Sequence, residues 1–99
     1  MSDAEVEVDA EAFAAAGTDQ KRKLRQYRPQ LLADPFLGNR IQRELVPQRF
    51  RDLPNLFRIE LPEGWRALYT VATRPGGARV VRIVWIGNHT RYDRLFGYG

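Results

Sequence analysis

His89, Arg66, Arg91 and Tyr92 are the side chains of this sequence best suited to chemistry on a polyanion. His89 is the one histidine, and imidazole, with an ordinary pKa of about 6.5, is the side chain that can both take and give a proton near neutral pH. Arg66 and Arg91 stay charged at any physiological pH and offer planar, bidentate contacts to phosphate oxygens. Tyr92, three residues after His89, is placed to orient the imidazole, stack on a base or supply a proton. Each group also has a plainer reading. His89 is then a hydrogen-bonded turn residue, Arg66 the partner of Glu60 across a hairpin, and Tyr92 and Phe96 apolar anchors at the sheet edge. The chain has no cysteine, hence no thiolate nucleophile, disulfide or thiolate zinc site. A lone histidine cannot build a histidine metal cluster, so neither a metal nor a cofactor is expected. No P-loop, dinucleotide fingerprint or RNA-binding signature is present.

Charge is distributed unevenly along the 99 residues, whose net charge is +4. Six acids and no Lys or Arg fall between Met1 and Asp19, whereas the rest of the chain holds all 16 basic residues against six acids. Fourteen of the 16 are arginine. A body this basic suits a nucleic-acid partner, or simply keeps the protein soluble. Arg40, Arg43, Arg49, Arg51 and Arg58 are candidates to line the approach of a phosphate backbone; a solvated cationic loop is the plainer reading of those before Leu53. Arg82 joins Arg66 on one face only if the second hairpin has the right register, because a one-residue slip reverses every side chain. Trp65 and Trp85 either stack on bases or pack in the core. The acidic leader either folds over the basic groove or aids solubility. Apolar stretches such as Ala12–Ala16 and Ile83–Ile86 fall far short of the ~20 residues of a membrane span, and the acidic N-terminus is unlike a targeting signal. A cytoplasmic protein with no membrane partner is expected.

These side chains must be positioned by one small α+β domain over residues 9–99, behind a flexible acidic N-terminus, residues 1–8, with at best a two- or three-residue edge strand at Val6–Val8. Asp9 is a plausible cap for a helix over Ala10–Ala16, ended by Gly17. A second helix starts at Thr18 or Asp19, with Leu24, Tyr27 and Leu31 at buried-stripe spacing and a kink or fresh start at Pro29. Between Phe36 and Leu53, Ile41, Leu45 and Phe50 are the expected inward anchors. From Asn55 the period changes to two. Phe57–Leu61, Trp65–Ala72 and Arg79–Ile86 read as three strands of an antiparallel meander, turning at Pro62-Glu63-Gly64 and Pro75-Gly76-Gly77. If Leu61 faces Trp65, Glu60 faces Arg66. The tail from His89 suits one helical turn or so. Two N-terminal helices packed on a small antiparallel sheet, with a short C-terminal helix or tail, is the expected architecture.

The strand Leu56-Phe57-Arg58-Ile59, the turn, and Gly64-Trp65-Arg66-Ala67-Leu68-Tyr69 resemble the hairpin motif of the RelE/ParE-type toxin superfamily. His89-Thr90-Arg91-Tyr92, following Ile86-Gly87, is similar to its C-terminal catalytic segment. The closer likeness is to RelE-like members carrying a GWRxLY stretch and a terminal HxxYxxxF stretch, and it covers roughly residues 53–98. The resemblance implies a RelE-like fold and the toxin of a type II toxin–antitoxin system. Such a protein is a metal-independent endoribonuclease (an mRNA interferase, hence a hydrolase) acting on mRNA at the ribosome and paired with a cognate antitoxin. His89 would then be acid or base, Arg66 and Arg91 would stabilise the phosphate, and Tyr92 would orient or stack. Arginines stand where the best-known ribonucleases of the family carry paired lysines. That departure suits a second reading, a non-catalytic protein of the same fold that inhibits gyrase or binds nucleic acid or protein. A third is a homodimer joined through a strand edge or the Tyr98 end.

Overall fold

A computed structural model describes residues 4–97. The segment richest in β-branched residues forms its longest strand, nine residues over Arg79–Gly87, in which Val80, Val81, Ile83 and Ile86 are buried. Phe57–Glu60 (β3), Arg66–Thr73 (β4) and Arg79–Gly87 (β5) form the antiparallel meander. Two strands enlarge it. Asn39–Arg40 (β2) pairs antiparallel with β3, and Ala4–Val8 (β1) pairs parallel with β5. The result is a mixed five-stranded sheet in the order β1-β5-β4-β3-β2. With Ala10–Ala15 (α1), Thr18–Ala33 (α2) and His89–Phe96 (α3), the chain is an α+β protein.

From Ala4 onward the acidic leader is therefore more ordered than its sequence suggests. Val6 tucks against the core, Asp9 N–H donates to the Ile83 carbonyl, and the carboxylates of Glu5 and Glu7 meet Arg74. The register aligns Ala4 to Val8 with Arg79 to Ile83. Parallel pairing requires a long return connection, and here the whole chain between lies within it. The Tyr98 end proposed for dimer contact lies outside the described residues.

Each sheet face has its own cover. Phe57, Ile59, Ala67, Tyr69, Val71, Val81, Ile83 and Ile86 point to α1 and α2, which contribute Ala12, Leu24 and Leu31, joined by Ala16 at the C-cap of α1. Burying a side chain such as Leu31 or Ile83 stabilises by ~1.5–3 kcal/mol. Pro29 does not break α2, which continues to Ala33; the amide it lacks would have served the carbonyl of the solvent-exposed Arg25. On the other face Leu68 and Trp85 meet Tyr92 of α3, together with Val46, Phe50 and Leu56. Val46, rather than the expected Leu45, is the inward anchor; Leu45 is 49% exposed. Trp85 lies flat along its strand because Gly87 has no side chain: a Cβ there would stand 2.5 Å from the indole.

Candidate functional site

The β3–β4 hairpin closes through Leu61 N–H to the Trp65 carbonyl, which fixes Glu60 opposite Arg66. Alternation then puts Arg58, Glu60, Arg66 and Leu68 on the face that α3 covers. Glu60 bridges two guanidiniums, one oxygen lying 3.0 Å from Arg58 Nε and the other 3.4 Å from Arg66 Nε. Arg66 also lies over the Tyr92 ring at 4.4 Å, and Arg58 Nη1 donates to the Tyr92 hydroxyl at 3.4 Å. The ring stacks on Phe96 at 4.4 Å and tilts against Trp85. Tyr92 is only 2% exposed. It does not stack on a base or deliver a proton to a ligand from this position; the plainer reading of Tyr92, a buried anchor, is the one realised.

Asn88 caps α3, its side-chain oxygen accepting from Arg91 N–H at 2.9 Å. The cap starts the helix at His89, on the turn that precedes Tyr92. His89 stands beside the β3–β4 turn: a Cβ on Gly64 would be 3.9 Å from the His89 Cβ. Its side chain is 64% exposed, and Nε2 lies 3.0 Å from Asp93. When Nε2–H donates to that carboxylate, Nδ1 keeps its lone pair for an incoming proton. The same turn holds Glu63 at φ 63°, a backbone conformation unusual for a side chain with a Cβ. Imidazole and guanidiniums thus border one end of the hairpin, with Tyr92 beneath, although no hydrogen bond joins His89 to Arg66 among the described residues.

The other predicted residues lie elsewhere. Arg91, two residues and so about 200° around α3 from His89, faces away from Arg66 and lines a cleft with Arg49 and Trp85. It is not part of the hairpin-end site. The register opposes Arg82 to Thr70, on the Arg66 face, but Arg66 lies opposite Gly87 at the far end of β5. Arg82 is held bidentately by Asp9 at 2.7 and 3.0 Å, and that carboxylate pushes its pKa still higher. Arg43 donates to the carbonyls of Leu53 and Arg51, and Arg51 to that of Val46, so both brace the loop. Arg40 lies over Phe57. Trp65 is half-buried against the helix-side core, and Trp85 is buried on the other face and presents no free ring for stacking.

Two members of the site were missed from sequence. Asp93 carried a readable signal, four residues after His89 on a helix. Arg58 was read only as part of an approach path, yet its alternation with Glu60 already placed it here. The chain matches no known family model, and no curated protein matches it.

Proposed function

We propose that this protein is a RelE-like endoribonuclease that cleaves mRNA without a metal, the toxin of a type II system held by an antitoxin and acting at the ribosome. The observation that carries the reading is the placement, about one end of the β3–β4 hairpin, of an exposed imidazole beside the turn and of two guanidiniums mounted on its strands. Strand-mounted groups keep their geometry better than loop-mounted ones. The phosphate of a bound RNA would displace Glu60 from Arg66 and Arg58, whose paired charges then stabilise the developing oxyanion. His89 Nδ1 takes the proton of the 2′-hydroxyl, with Asp93 stabilising the imidazolium that results. The 2′-oxygen attacks phosphorus, the bond to the 5′-oxygen breaks, and solvent protonates the leaving oxygen. Tyr92 acts by positioning Arg58 and Arg66 from below.

Expression of wild type, His89→Ala and Arg66→Ala in cells tests the assignment. Wild type is expected to arrest growth, and each soluble, folded variant to relieve the arrest. Arrest by both variants equal to wild type would remove this site. Arrest without RNA cleavage would favour the non-catalytic binding protein, a reading supported by the fact that Glu60 already occupies both guanidiniums.

A further inference from the structure

The outer edge of β5 is only partly covered. β1 ends at Val8, opposite Ile83, whereas β5 continues to Gly87. Beyond Asp9 N–H on the Ile83 carbonyl, no backbone hydrogen bond outside the β4 ladder reaches residues 84–87 among the described residues. The chain instead turns away into α1. A cleft of about 210 Å³ results, with Val84–Ile86 as its floor. Glu11, Ala12 and Ala15 of α1 form one wall, and Arg49 with Arg91 the other. A neighbouring hollow carries the same arginine wall on to Arg94.

Open strand edges are templates for another strand, and proteins usually block them with bulges, charges or a covering element. Here Ala12 and Ala15 leave width beside the edge, and Glu11 adds one negative charge to a lining that holds two arginines. Arg49, Arg91 and Arg94 have no carboxylate partner among the described residues, unlike Arg58, Arg66, Arg74 and Arg82. We propose that this cleft takes an extended, carboxylate-bearing peptide of a partner protein, which continues the line of β1 and adds to β5. Successive side chains of a strand point to opposite faces. The peptide therefore alternates apolar residues, set against Ala12 and Ala15, with Asp or Glu set against the arginines. Backbone bonds supply affinity and the alternate side chains specificity. A nucleic-acid strand fits less well. Binding of single strands uses exposed aromatic faces, and Trp85 is 7% exposed with its ring against Gly87.

The test is selection of random displayed dodecapeptides on the full-length protein, followed by synthesis of the best binder and backbone amide NMR. Expected are sequences alternating acidic and apolar residues, shifts centred on residues 84–86, and at least a tenfold loss of affinity in folded Arg49→Glu/Arg91→Glu. N-methylation of alternate peptide amides is expected to abolish binding, whereas His89→Ala leaves it unchanged, which separates this site from the RNA-cleaving reading. Binders lacking acids, shifts centred elsewhere, no enrichment at all, or stronger shifts at 84–86 from an octanucleotide than from the peptide would each overturn the proposal.

Discussion

Glu60 keeps two like charges on one carboxylate. It is 54% exposed by side chain, so the ion pairs are solvent-screened and contribute little to stability, on the order of 0–1 kcal/mol. Their importance is to binding, because a phosphate must compete with Glu60 for both guanidiniums. Glu60→Gln is expected to leave urea denaturation nearly unchanged while tightening single-stranded RNA binding measured by fluorescence anisotropy. Weaker binding would show that Glu60 is needed to hold the arginines in place. Tyr92 is different in kind, since its ring is the surface on which Arg66 rests. Tyr92→Phe loses one hydrogen bond, a cost of about 0.5–1.5 kcal/mol, and keeps the stack on Arg66. Tyr92→Ala removes a buried ring and is expected to cost about 3–5 kcal/mol in denaturant unfolding. A Tyr92→Ala protein as stable as wild type would contradict its role as anchor.

At the scale of elements, α3 connects the site to the core. Its cap, Asn88, has an extended backbone and accepts Arg91 N–H, and Gly97 ends the helix at φ 78°. Asn88→Ala is expected to cost ~1 kcal/mol, visible as a lower thermal midpoint, and to loosen His89 before it affects the sheet. The β3–β4 hairpin was legible in sequence because strict alternation met a Pro-Glu-Gly turn, which gave the Glu60–Arg66 pairing directly. The second hairpin was not, because Arg74–Ala78 allows several loops and β5 carries an irregularity opposite Leu68/Tyr69 that alternation does not reveal. The strand β1 was hidden for another reason. Five residues bearing Glu at alternate positions resemble a solvated tail until the arginines that neutralise them, Arg74 above all, are brought from the far end of the chain. Arg91 was grouped with His89 by closeness in sequence, but a helix separates residues two apart onto opposite sides.

For the whole molecule, the sheet is covered on both faces, and Tyr69 lies fully buried in the larger core. Its hydroxyl accepts Gly38 N–H at 2.8 Å, which ties the connection after α2 to the sheet. Burial raises the Tyr69 pKa above the ordinary 10.0; the Gly38 bond opposes that rise and Asp34 adds to it. A phenol whose folded pKa is raised favours the folded state below its unfolded value and loses that contribution as pH rises through the folded one. Global stability should therefore fall above about pH 10. Tyr69→Phe, although less stable at neutral pH, should show a shallower alkaline decline in urea midpoint. An unchanged slope would mean that Tyr69 does not control alkaline unfolding.

RNA cleavage at the hairpin end is measured most directly by chemical mapping of transcript ends after brief induction in cells. Attack by a 2′-hydroxyl leaves a 5′-hydroxyl on the downstream fragment. Wild type is expected to produce new 5′-hydroxyl ends within coding sequence, absent from cells making folded His89→Ala or Arg66→Ala. Intact transcripts with wild type, new ends bearing 5′-phosphate, or the same 5′-hydroxyl ends with both variants would contradict it.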